Sequence, residues 1–120
     1  MSSLKQHIRE QAREAGFDTV RFTTPDAIPR AAGRLAEFIA QGWHGDMAWM
    51  SETEARRADP LNLWPEARSV IVLGLNYGPG GDPLDNLKRP SHGGVSVYAR
   101  GKDYHALVKK KLKRVAGWLH

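Results

Sequence analysis

The chain has 120 residues, 41% of them hydrophobic and 26% charged, which suits one domain with a modest core. Its longest apolar run, Val70-Ile71-Val72-Leu73, is far too short to span a bilayer, and Met1-Ser2-Ser3-Leu4-Lys5 turns charged and helix-prone at once without a signal-peptide core, so a cytoplasmic protein is expected. Cysteine is absent, which rules out disulfides, thiolate metal sites and cysteine-ligated clusters within these residues.

In chain order, Ser2 or Ser3 caps a first helix with Leu4, Ile8, Ala12 and Ala15 along one face, and Gly16 ends it. A short strand follows over 17–23, with Val20 and Phe22 on the same side. Thr24-Pro25-Asp26 reads as a turn, and Pro29 suits the first turn of a helix whose stripe is Leu35, Phe38 and Ile39, stopping at Gly42. Asp46 is a candidate cap for a short helix reaching about Ala55, and Asp59-Pro60 opens another helical turn through Leu63. Residues 69–76 form the best strand, apolar on both faces and therefore central in its sheet. Residues 77–94 are a long loop with five glycines and three prolines. Residues 95–99 read as a last strand. Asp103 caps a final helix with Tyr104, Leu107, Val108, Leu112, Val115, Trp118 and Leu119 on its apolar side. The order predicts a single α/β domain over 1–120, a small mixed sheet flanked by helices. Trp43, Trp49 and Trp64 read as core residues.

The net charge of +5 hides an asymmetry. Residues 1–87 carry nine Lys/Arg against twelve Asp/Glu, for −3, and residues 88–120 carry nine Lys/Arg against Asp103 alone, for +8. Such a concentration fits a polyanion, although a solvated helix face explains it as well. Lys109, Lys110, Lys111, Lys113 and Arg114 cannot all face the core, because Leu112 and Val115 claim that side. His7, His44, His92, His105 and His120 are scattered, without helical pairing or a carboxylate at ligand spacing, so no metal constellation emerges. There is no Gly-x-Ser-x-Gly elbow, and Gly78-Pro79-Gly80-Gly81 lacks the Lys-Ser/Thr of a phosphate loop.

Four blocks carry a resemblance. Trp43-His44-Gly45-Asp46-Met47-Ala48-Trp49-Met50, then Arg57-Ala58-Asp59-Pro60, then Asn76-Tyr77, then Ser96-Val97-Tyr98-Ala99-Arg100-Gly101-Lys102-Asp103-Tyr104-His105 resemble, in order and spacing, the N-terminal region of the epoxyqueuosine reductases. The resemblance implies an oxidoreductase that reduces epoxyqueuosine to queuosine at the tRNA wobble position, using cobalamin and two [4Fe–4S] clusters. It further implies that this chain is the N-terminal portion of such an enzyme. The catalytic aspartate and the cluster cysteines would lie beyond residue 120, so the portion itself holds no catalytic residue, no metal ligand and no activity.

By the same resemblance, Arg57 adjoins the cobalamin, and Ser96, Val97 and Tyr98 run along it, all in one cleft with the 77–94 loop at its rim. Arg100, Lys102, Lys109, Lys110, Lys113 and Arg114 are the candidates for the tRNA anticodon stem-loop, through phosphate contacts that position without reading sequence. The implied enzyme is a monomer with no membrane partner. Two alternatives stay open: a small basic RNA-binding module without cofactor, and a flavin-binding reductase domain of the nitroreductase type.

Overall fold

Ser3 sits in extended conformation, and its hydroxyl accepts the Gln6 N–H at 3.3 Å, which starts α1 (Leu4–Ala15). The computed structural model describes residues 3–120, so Ser2, the other candidate cap, lies outside them. Gly16 closes the helix at φ +106°, a left-handed conformation that glycine adopts without a Cβ penalty. Its N–H reaches the Arg13 carbonyl (2.9 Å) while the Phe17 N–H reaches the Ala12 carbonyl (3.0 Å), the paired closure of a Schellman motif. Ile8, Ala12 and Ala15 are buried, as the stripe predicts, but Leu4 at the open end is exposed.

Beyond Gly16 come β1 (Thr19–Thr23), α2 (Ala31–Ala40), α3 (Ala48–Glu52), α4 (Glu54–Ala58), α5 (Pro60–Leu63), β2 (Val70–Gly74) and α6 (Tyr104–Leu119). Short 3₁₀ turns cover Pro83–Lys88 and Val97–Ala99. The class is α/β, with β1 and β2 paired antiparallel. The ladder is extended by the Asp18 N–H on the Gly74 carbonyl (2.9 Å), and the Asp18 carboxylate accepts the Asn76 N–H (2.7 Å).

Contacts divide the chain into two compact units, one holding the chain through Val20 together with Leu73–His120, the other Arg21–Val72. In the first unit α6 packs along α1, and Ile8, Ala12, Ala15, Phe17, Val20 and Val115 form the buried core. Each large member contributes about 1.5–3 kcal/mol by leaving water. Two cations of α6 finish the junction: the Lys111 Nζ donates to the Ala15 carbonyl (2.9 Å) and Arg114 to the Glu14 carbonyl (3.2 Å). Those carbonyls have no partner in their own helix and mark the negative end of its dipole, so positive donors belong there. In the second unit, α2 packs on α4 and α4 on α5. Asp59 caps α5 through its carboxylate on the Leu61 N–H (2.9 Å), with Pro60 at the first helical position.

Five expectations need correction. Residues 95–99 are not a strand; Val97–Ala99 is a 3₁₀ turn. Its backbone is satisfied locally, by the Ala99 N–H on the Ser96 carbonyl (2.9 Å) and the Arg100 Nε on the Val95 carbonyl (2.9 Å), and β-branched residues favour a strand only where a neighbouring strand receives them. The sheet of the described residues is therefore two-stranded and antiparallel rather than mixed, and the strand within 69–76 is not central, with Val72 50% exposed. Asp46 does not cap α3; Met47 occupies the cap position without a side-chain bond, and Asp46 offers only its backbone carbonyl to the Ala48 N–H (2.9 Å). Trp43, Trp49 and Trp64 are not core residues but 61%, 47% and 61% exposed.

The junction of α1 and α6 has a direct test. Lys111→Met keeps the aliphatic stem and removes the donor to Ala15, and is expected to cost about 1–2 kcal/mol, since hydrogen bonds from charged groups exceed neutral ones. Gly16→Ala forces a left-handed φ and drives a methyl into the Lys111 ammonium, at a cost of at least about 1 kcal/mol. Thermal melts followed at the far-ultraviolet helix signal check both; an unchanged midpoint for Lys111→Met removes this bond from the account of stability.

Candidate functional site

Gly101, at φ +74°, turns the chain out of the 3₁₀ segment, and Asp103 starts α6. The Asp103 carboxylate accepts the His105 N–H (3.0 Å) and the imidazole Nδ1–H of the same residue (2.5 Å). These bonds, the backbone one first, hold the Asp103 carboxyl below the usual carboxylate value of 3.8. Tyr104 stacks on the imidazole at 4.4 Å and 18°, and Tyr98 meets Tyr104 edge-on at 6.3 Å and 60°. The sequence reading placed Asp103 as the cap but missed its pairing with His105. An Asp-x-His spacing at a helix start is the signal that carries it.

Two clefts of about 510 Å³ share Tyr77, Val97 and Arg100. The first is walled by the 77–94 loop, with Pro79, Leu84, Leu87 and His92 facing Val95 and Ser96. The second is walled by Tyr98, Tyr104 and Leu107, with Lys102, Asp103 and Lys110 at its edge. Ser96 and Val97 thus share a cleft with the loop, while Tyr98 belongs to the neighbouring one. Arg57, in the second unit, lines a separate cleft of about 440 Å³ together with Thr23, Asp26, Asp59 and Val72. Its guanidinium lies 4.5 Å from the Trp49 ring centroid, and its Nε donates to the Thr53 hydroxyl (2.7 Å). That grip fixes the fork and leaves the two terminal nitrogens to meet a ligand.

The basic residues of α6 separate by helical phase. Lys109, Lys110 and Lys113 are exposed and fall within about 100° of arc, opposite the buried Val115. Lys111 and Arg114 turn to the α1 carbonyls instead. Arg100 spends its Nε on the Val95 carbonyl, and Lys102 stands exposed beside the second cleft. Among the described residues, no group of three or more His, Cys, Asp or Glu is placed to hold a metal, and no helix is long and apolar enough to cross a membrane.

The Asp103 cap has a definite pH signature. A carboxyl with a depressed folded-state pKa contributes stability that is present above its unfolded value and lost as pH falls through the folded one. The first turn of α6 is therefore expected to fray only below pH 3.8, read as the His105 amide resonance titrating with a midpoint under that value. In Asp103→Asn the same resonance should show no acid-range step; a midpoint at or above 3.8 in the unsubstituted protein removes the cap from the account.

Comparison with known proteins points one way. Residues 57–120 match the family model described as "Epoxyqueuosine reductase QueG, DUF1730". Curated proteins named epoxyqueuosine reductase are similar over most of the chain: one from Alicycliphilus denitrificans is 35% identical across 96% of it, one from Synechocystis sp. 46% identical across 74%, and one from Escherichia coli 34% identical across 96%. The matched portion is 34%, 29% and 30% of those proteins, so the chain spans about a third of the length of the curated relatives it matches. No solved structure matches it. With more than half of its residues inside the family model, the chain belongs to the epoxyqueuosine reductase family.

Proposed function

We propose that this chain supplies part of the cobalamin and tRNA sites of a cytoplasmic, monomeric oxidoreductase that converts epoxyqueuosine to queuosine at the tRNA wobble position, the last step of queuosine biosynthesis. The observation that carries the reading is family membership across residues 57–120, the stretch holding Arg57, residues 96–98 and the basic helix α6. With no cysteine, the chain ligates neither [4Fe–4S] cluster of the complete enzyme, and no residue of it is assigned the catalytic proton.

The donors present suit cobalamin. Its periphery of amides and a nucleotide phosphate calls for fixed hydrogen-bond donors, and its ring face for apolar cover. The Arg57 guanidinium, steadied by Trp49 and Thr53, provides a fork; Ser96 provides a hydroxyl, Tyr98 a phenol, and Val97 apolar contact. Bound, the cofactor would supply the reducing electrons for cleavage of the epoxide carbon–oxygen bond. The work of this chain is to hold and orient it. On the RNA side, Lys102, Lys109, Lys110 and Lys113 are exposed cations for phosphates, while Arg100 and Arg114 bring guanidinium nitrogens left over from their backbone bonds.

Two measurements test this. Titration with cobalamin should shift the visible corrin spectrum, and Arg57→Ala should weaken the shift; a silent spectrum together with salt-sensitive tRNA binding favours the cofactor-free RNA module instead. Replacing Lys109, Lys110 and Lys113 with alanine should weaken every tRNA about equally and flatten the salt dependence, because each neutralised phosphate releases counterions whatever the base. In the complete enzyme the same change should raise the KM for tRNA more than it lowers kcat, as expected for contacts made alike in ground and transition states. Unchanged tRNA affinity at low salt in the triple variant would make the basic face merely solvated.

A further inference from the structure

Between β2 and α6 the chain makes a small body of its own. Pro83 opens the 3₁₀ turn Pro83–Lys88, and the Asp82 carboxylate caps it on the Leu84 N–H (2.9 Å). The Asp85 carboxylate meets the Lys88 ammonium (3.2 Å), the Arg89 N–H reaches the Asn86 carbonyl (3.1 Å), and the His92 N–H reaches the Arg89 carbonyl (3.0 Å). Among the described residues, every hydrogen bond made by residues 79–94 is with another of them. Residues 82–92 therefore hold together as one piece that no bond from outside ties down. Glycine pairs stand on either side of it, Gly80-Gly81 and Gly93-Gly94. None of the four takes a left-handed φ, and a Cβ at Gly80, Gly81 or Gly93 would meet open space, so the present conformation does not call for them. A residue without a Cβ serves equally where the chain must change conformation. The piece carries Leu84 and Leu87, 65% and 77% exposed, on the wall of the first cleft. Two leucines left in water beside a cavity of about 510 Å³ forgo apolar burial that a short movement would recover.

From this we propose that residues 82–92 form a lid, open in this structure, which turns about Gly80-Gly81 and Gly93-Gly94 to lay Leu84 and Leu87 over a ligand in the first cleft. The empty cleft gives the leucines too little to rest on. An apolar ring surface seated beside Val95 and Val97 completes the contact, so the ligand favours the closed state by the contacts it makes only there. Closure then excludes water from that part of the site. The Asp82 cap and the Asp85–Lys88 pair travel with the lid and keep the two leucines in register as it swings. The inference rests on the cobalamin reading of Ser96 and Val97 and adds to it the element that retains the cofactor. The lid touches no reacting atom; it sets how fast the cofactor leaves.

The test uses the full chain with cobalamin, binding and release being followed in the visible corrin spectrum. Trypsin reports on the lid itself, because Lys88 lies on it. Saturation with cobalamin should slow cleavage after Lys88 at least about tenfold, as expected when fewer than about a tenth of the molecules stay open. The double variant Leu84→Ser/Leu87→Ser should still saturate, but release cobalamin about tenfold faster and lose the protection of Lys88 even at saturation. A second variant exploits the absence of cysteine from the chain. A Cβ at Gly94 would stand 4.0 Å from that of Asn86, so Asn86→Cys/Gly94→Cys can close a disulfide in the open arrangement. Oxidised, this variant should release cobalamin as fast as the leucine variant does. With both thiols alkylated instead, it should release as slowly as the unsubstituted chain. Protection that survives the leucine substitutions at saturation, or one release rate for all of these forms, overturns the lid and leaves a fixed rim, with the cobalamin reading standing. A corrin spectrum that the unsubstituted chain does not shift overturns both.

Discussion

At the end of α1 the Glu14 and Ala15 carbonyls point beyond their own helix, and no residue nearby in sequence answers them. The ammonium of Lys111 and the guanidinium of Arg114 do, from 96 and 100 residues further along the chain. Between these contacts Val115 enters the small core with Ile8, Ala12 and Ala15. The junction joins apolar burial to the satisfaction of a helix end in one place, and each supports the other. A lysine ammonium is expensive to withdraw from water unless it is received by an acceptor, while the acceptor is itself an orphan of helix geometry. Without this seam α6 would have little to fix it, since most of its remaining apolar side chains, Leu107, Leu112, Trp118 and Leu119, are substantially exposed.

That seam also sets which face of α6 meets solvent. A helix can offer only about a third of its circumference to any one neighbour. Once Val115, Lys111 and Arg114 are turned to α1, helical phase carries Lys109, Lys110 and Lys113 to the other side. The cations of α6 thus divide into two sets, some completing α1 and others facing solvent. The same positioning places the start of α6, with its Asp103–His105 pair and Tyr104, at the edge of a cleft whose other walls come from residues 77 and 97–102.

The segment between β2 and α6 shows how a chain manages without a sheet partner. Its polar backbone groups are met by its own side chains: Asn76 receives the Gly78 N–H (2.8 Å), Asp82 the Leu84 N–H (2.9 Å), and Val95 accepts from Arg100 (2.9 Å). Local closure of this kind leaves aromatic and aliphatic side chains outward, which is why Tyr77, Leu84, Leu87, Val95 and Tyr98 line clefts instead of a core.

What the sequence by itself determined is whatever a few consecutive residues can decide. Ser3 starts α1, Asp59-Pro60 opens α5 and Asp103 starts α6, because an N-terminal cap is a bond between a side chain and a backbone N–H two or three residues away, and Gly16 ends α1 because one residue without a Cβ takes the left-handed turn. The family was legible too, since its blocks are short and contiguous. Tertiary structure decided what needs a partner from afar. Residues 95–99 have strand-like composition, yet a strand exists only where another edge offers hydrogen bonds, and here the turn satisfied itself first. The tryptophans have the hydrophobicity of core residues, but burial depends on what is packed over them, and in this chain nothing covers Trp43 or Trp64 fully. No local pattern distinguishes Lys111 from Lys110. One is half-buried at a carbonyl 96 residues away and the other stands at the mouth of a cleft, because a single step along a helix turns a side chain through about 100°.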